Sequence, residues 1–139
     1  MYLIRPIKPD NHPKEVFTPQ GFPDPPAYVS RVTKARGFVF CTGMLGIDLS
    51  TFTLVNDSFE NEATQLMDNL RAMLESAGAS VDDLVQVTVY LTDIELYSEF
   101  NKVYVSYLAE TVKPARTAVV VSELPRGARV EVACIAIAD

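Results

Sequence analysis

The chain has 139 residues, 48% of them hydrophobic, and its twelve basic and eighteen acidic residues leave a net charge of −6. That length suits one domain burying roughly two-thirds of its unfolded surface, and the acidic balance without a Lys/Arg cluster disfavours a nucleic-acid backbone as main partner. No apolar run approaches the ~18 residues of a membrane span, and the start lacks the basic-then-apolar layout of a signal peptide, so a cytoplasmic protein is expected.

Residues 1–27 hold Pro6, Pro9, Pro13, Pro19, Pro23, Pro25 and Pro26. So many fixed φ angles and missing donors predict an extended arm with at most a short edge strand, around Tyr2-Leu3-Ile4, ahead of a single domain over 28–139. His12, alone in this polar stretch, reads as solvated. From Tyr28 the chain alternates to Thr33, turns at Ala35-Arg-Gly37 and runs apolar through Phe38-Val-Phe-Cys-Thr42, which predicts a hairpin. Gly43 follows directly; it is either an ordinary turn or a place where backbone approaches a ligand closely. Cys41 and Cys134 both lie in apolar strand-like runs, which fits buried thiols better than a disulfide framework or a metal site.

Residues 48–56 read as a polar loop, and Asp57 or Ser58 as the cap of a helix. Phe59, Ala63, Leu66, Met67, Leu70, Met73, Leu74 and Ala77 recur at three- and four-residue steps, with Glu60, Glu62, Gln65, Asp68, Arg71 and Glu75 on the other face. Gly78 ends this helix. Ser80-Val-Asp-Asp83 is a capped turn. The strand Leu84-Val-Gln-Val-Thr-Val-Tyr-Leu91 is expected to put Val85, Val87, Val89 and Leu91 on one face and Gln86, Thr88 and Tyr90 on the other. A second helix is expected over 95–108, with Leu96, Phe100, Val103 and Tyr107 at core spacing and Asn101 and Tyr104 beside them.

The last stretch, residues 113–138, carries an oddity of charge. Two β-rich segments joined through Leu124-Pro-Arg-Gly127 suggest neighbouring strands of one sheet, linked by more than a two-residue turn. Arg116 opens the first, and Glu131 sits inside the second among β-branched residues, where a carboxylate is normally excluded. Together they suit a pocket that holds an anionic substrate and moves a proton or a water; the alternation Val130-Glu131-Val132 equally fits a half-exposed strand with Glu131 in solvent. The order of elements predicts an α+β sandwich: two β(β)αβ-type halves that lay two helices on one face of a common mixed β-sheet. The other sheet face carries Val, Thr, Tyr, Gln and Glu131, so closed cyclic association is expected to cover it.

Over nearly all of residues 28–138 the chain resembles the Rid family of reactive-intermediate deaminases, also called YjgF-like proteins. The resemblance rests on Tyr28-Val, Phe40-Cys-Thr-Gly43, Asn69-Leu-Arg-Ala-Met-Leu-Glu-Ser-Ala-Gly78, Val87-Thr-Val-Tyr-Leu-Thr-Asp93, Phe100-Asn-Lys-Val-Tyr104, Pro114-Ala-Arg-Thr117 and Leu124-Pro-Arg-Gly-Ala-Arg-Val-Glu131. It implies a chorismate-mutase-like α+β fold, a homotrimer with pockets between subunits, and RidA-type hydrolysis of small carboxylated enamines and imines to 2-keto acids and ammonia without metal or organic cofactor. It also implies that Arg116 binds the substrate carboxylate, that Glu131 activates or protonates water, and that Tyr28, Thr42 and Asn101 line the pocket with Gly43 contributing backbone. Three departures bear on the substrate: Thr42 replaces the usual serine, Met44-Leu-Gly46 stands where Gln-Ile-Pro is common, and Ala133 replaces a frequent second glutamate. They leave room for a larger enamine, such as an aminomuconate. The rivals from other classes are a non-enzymatic ligand-binding or chaperone-like trimer and a ribonuclease, the latter disfavoured by the acidic surface.

Overall fold

The computed structural model describes residues 14–108, 110 and 112–139; the strand expected at Tyr2-Leu3-Ile4 and His12 lie outside the described residues. One six-stranded mixed sheet, in the order β1-β2-β3-β8-β6-β7, carries two helices on a single face. The α+β expectation holds.

β1 (Glu15–Phe17) is a short edge strand between Pro13 and Pro19 that pairs with β2 (Val32–Ala35). The predicted hairpin forms between β2 and β3 (Phe38–Met44) across Arg36 and Gly37, both at positive φ, although regular pairing begins at Val32 and not at Tyr28. Inside the expected 48–56 loop, β4 (Ile47–Asp48) and β5 (Thr53–Leu54) make a two-stranded hairpin too short to leave a periodic signal. α1 (Phe59–Ser76) starts where Ser58 Oγ accepts the Asn61 N–H at 3.0 Å. It ends in a Schellman arrangement: Gly78, at φ +79°, donates to the Glu75 carbonyl and Ala79 to that of Leu74.

The apolar stripe of α1 is buried as expected, each large side chain contributing about 1.5–3 kcal/mol. Glu62 breaks the pattern. Expected on the polar face, it is fully buried because Arg129 supplies both a side-chain and a backbone donor to its carboxylate. Asn69, also buried, donates to the carbonyls of Leu45 and Ile47.

β6 (Leu84–Leu91) departs from simple alternation as well. Leu84 faces Ala136 of β8 (Val130–Ile137), but Gln86 faces Ile135, so one extra residue bulges from β6. The bulge leaves Val85 exposed and transfers its expected core place to Leu84, while Val87, Val89 and Leu91 are buried as expected. After a 3₁₀ turn at Ile94–Leu96, α2 (Tyr97–Tyr107) crosses over to β7 (Ala115–Val120), which runs parallel to β6. The last two β segments share the sheet but are not neighbours: β6 lies between β7 and β8, because a parallel strand returning from a helical crossover takes the free edge. Cys41 and Cys134 are direct cross-strand partners, both free and buried. Their mutual hydrogen bond, then burial, push the Cys134 thiol well above its usual range, so it is an inert core group. No helix among the described residues is long and apolar enough to cross a membrane.

The bulge makes a direct prediction. In urea unfolding, Val87→Ala should cost about 2 kcal/mol, whereas Val85→Ala should stay within about 0.5 kcal/mol; equal costs would contradict the observed register.

Candidate active site

β7 is the sheet edge, and Arg116 stands opposite Val87, a core residue of β6, so its side chain projects toward the helices. There it meets α2. Its guanidinium carbon lies 5.4, 5.7 and 4.8 Å from the ring centres of Tyr97, Phe100 and Tyr104, and Nη2 donates to Asn101 Oδ1 at 2.5 Å. Positions 97, 100, 101 and 104 fall on one helical stripe, so about two turns of α2 supply the whole cradle. Cation–π contacts are worth about 0.5–2 kcal/mol, and three on one group hold the fork in place. With its oxygen facing Arg116, the Asn101 amide has an N–H₂ donor left for a second acceptor.

Glu131 belongs to a different surface. It stands opposite Tyr90, on the sheet face that no helix covers. Between β3 and β8 the register slips, since Cys41 faces Cys134 but Met44 faces Val132, and Thr42 and Gly43 share the place opposite Ala133. This bulge pushes the Gly43 backbone against the acid: a Cβ on Gly43 would stand 2.5 Å from Glu131 Oε1. Only glycine fits with the carboxylate in this position. Burial raises the Glu131 pKa above the ordinary carboxylate value, as half-buried strand neighbours withdraw water from the charged form. The Thr42 N–H donates to the Arg31 carbonyl at 2.9 Å, which fixes the bulge from the β2 side.

The site residues read from the sequence thus form two groups, Arg116 with Asn101 and Glu131 with Gly43 and Thr42. Their β6 partners, Val87 and Tyr90, are three residues apart, and an odd step along a strand means opposite faces. Within one chain the guanidinium and the carboxylate do not meet. Tyr28 is 86% exposed and joins neither group. Three depressions among the described residues, of about 880, 430 and 170 Å³, include neither Arg116 nor Glu131 in their walls. No cluster of His, Cys, Asp and Glu among the described residues could hold a metal ion. Sequence reasoning did not find the part played by Tyr97 and Tyr104; their spacing from Asn101 was the signal, visible once Arg116 is known to face α2.

Residues 22–138 match the family model described as endoribonuclease L-PSP. A RutC family protein of Pyrococcus horikoshii is 39% identical over 123 residues, covering 88% of this chain and 97% of that protein. The chloroplastic reactive intermediate deaminase A of Arabidopsis thaliana is 32% identical over 123 residues, covering 88% of this chain and 65% of that protein. Among solved structures, RidA from an Antarctic Psychrobacter superposes with a TM-score of 0.83 at 34% identity, covering 89% of this chain and 99% of that one.

Tyr104 offers a check on the cradle. Its ring carries Arg116, while its hydroxyl is buried without a hydrogen-bond partner, and burial raises its pKa against the opposing pull of Arg116. Tyr104→Phe should therefore leave the melting temperature unchanged or slightly raised, whereas Tyr104→Ala should cost about 3–5 kcal/mol; a marked loss in Tyr104→Phe would mean that the hydroxyl is satisfied in solution.

Proposed function

We propose, from the premise that this chain belongs to the endoribonuclease L-PSP family of Rid (YjgF-like, RutC) proteins, that it hydrolyses a small carboxylated imine or enamine of the 2-aminoacrylate/2-iminopropanoate type to a 2-keto acid and ammonia. The observation that carries this reading is the Arg116 fork, held ready by three aromatic rings and Asn101. A planar donor pair fixed in this way suits a carboxylate, and little further ordering is needed to grip it.

Because Arg116 and Glu131 face opposite sides of the sheet, the working site requires two copies of the chain. The Arg116–Asn101 corner of one subunit closes on the Glu131–Gly43–Thr42 surface of the next, with exposed Tyr28 near the join. Support comes from the uncovered sheet face, where Phe38, Phe40, Val119 and Ile137 are each 40–44% exposed, an apolar surface that closed cyclic association into a homotrimer would bury.

In this assembly Arg116 binds the substrate carboxylate and places the C=N carbon beside Glu131. The Glu131 carboxylate takes a proton from water as the C–O bond forms and the C=N electron pair moves to nitrogen. That proton passes from Glu131 to the nitrogen; Glu131 then takes the proton of the new hydroxyl and delivers it to the same nitrogen, so that the C–N bond breaks, the carbonyl forms, ammonia leaves and Glu131 is a carboxylate again. Water is the only co-reactant. Retention of Arg116 favours this enzyme over a ligand-holding trimer, and the net charge of −6 weighs against RNA as substrate.

Ammonia release from enzymatically generated 2-iminobutanoate tests the reading. Arg116→Ala should lower kcat/KM by about 10–100-fold, the worth of a charge-assisted pair. Glu131→Gln should lower kcat by about 10²–10⁴-fold and remove the acid limb of the pH profile, which in the parent protein lies above the ordinary carboxylate value because ionisation of Glu131 is disfavoured. Substrate binding with no ammonia released in the parent protein would indicate a binder, and preference for an aminomuconate in the same panel would move the substrate class to longer enamines. RNA cleavage that survives Arg116→Ala and tracks with contaminants would dispose of the ribonuclease.

A further inference from the structure

α1 holds both strands that bring Gly43 and Glu131 together. Glu62, wholly buried, accepts the Arg129 backbone N–H on Oε1 and Arg129 Nε on Oε2, both at 2.7 Å. Arg129 stands immediately before β8 and two residues before Glu131; its carbonyl accepts the Thr92 N–H at 3.1 Å, and its guanidinium lies 5.5 Å from the centre of the Phe59 ring. The mouth of β8 is therefore tied to α1 by one carboxylate.

The β3 side is tied to the same helix. Gly46 packs so closely on the Glu62 backbone that a Cβ there would overlap the Glu62 carbonyl. Two turns later on the helix, Asn69 Nδ2 donates to the carbonyls of Leu45 at 3.2 Å and Ile47 at 2.9 Å. These residues follow the Thr42–Gly43 bulge directly. A helix so fastened to both strands acts together with the β3–β8 ladder, whose Cys41–Cys134 and Met44–Val132 pairs flank the bulge, in setting how far the bulge stands from the acid. An ordinary surface Glu–Arg pair would be neither wholly buried nor bonded to a backbone N–H at a strand mouth.

We propose that Glu62, assisted by Asn69, is a positioning residue of the reaction: it never touches substrate, but it holds Glu131 against the Gly43 backbone through Arg129 and the 45–47 link. The proposal rests on the hydrolase reading for its kinetic consequence, not for its geometry. Displacing a reacting group by an ångström costs about 10²-fold in rate, while the Arg116 grip is built from β7 and α2, to which, among the described residues, neither Glu62 nor Asn69 is hydrogen-bonded.

Steady-state kinetics of Glu62→Gln, Glu62→Ala and Asn69→Ala on 2-iminobutanoate, with exposed Glu75→Gln as control, provide the first test. The Ala variants should lose about 10–100-fold in kcat with KM within about threefold of the parent, and Glu62→Gln, which keeps an acceptor for the Arg129 N–H, should recover part of the loss. The second test needs no turnover: in ¹H–¹⁵N spectra of the intact protein, the Gly43 and Glu131 amide resonances should shift in Glu62→Gln and Asn69→Ala and stay fixed in Glu75→Gln. Shifted resonances in a protein whose parent hydrolyses no imine would sink the hydrolase reading and leave the positioning role standing. Fixed resonances in folded variants, unchanged kcat, or a rise in KM as large as the fall in kcat would each overturn it. Should Glu62→Ala fail to fold, Glu62→Gln and Asn69→Ala carry both tests.

Discussion

Alternation along β6 is the constraint from which the rest follows. This strand lies between β7 and β8, and its side chains point by turns to the helices and to the open face. Arg116 takes its direction from Val87 and Glu131 from Tyr90, so one strand sends a cation into the helical layer and an acid away from it. A shift of a single residue in either ladder would reverse one of them. The bulge at Val85 protects this phase, since it absorbs the extra residue before Val87 and Tyr90 are reached.

Each charge is then prepared by its own surroundings. The helical layer gives Arg116 aromatic faces and one amide, partners that orient a guanidinium without neutralising it. The strand surface gives Glu131 a glycine backbone and partial burial, which raise the cost of its charge without supplying a counter-ion. The sheet is apolar on both faces but covered by helices on only one, which leaves Phe38, Phe40, Val119 and Ile137 part-exposed on the other.

Much of the architecture was legible because it depends on periodicity. The stripe from Phe59 to Ala77, the stop at Gly78, the turn at Arg36-Gly37 and the strand ending at Leu91 are local patterns whose meaning does not change with context. Val85 and Glu62 were misplaced for the same reason that these succeeded. A bulge interrupts a two-residue period without altering composition, and a carboxylate is buried only when a distant donor, here Arg129, comes to meet it. The pairing of the last two β segments failed because adjacency in sequence says nothing about which edge a crossover strand will take.

By itself, then, the sequence determined which residues were chemically unusual: Arg116 after its Pro-Ala step, Glu131 within a β-branched run, and Gly43 at a strand end, together with the helices and strands that carry them. Their directions were decided only by the tertiary structure. Whether a strand residue faces a helix or open space depends on the register it keeps with its neighbours, and register is a relation between segments far apart in the chain. That relation placed the guanidinium and the acid on opposite faces and set the glycine against the carboxylate.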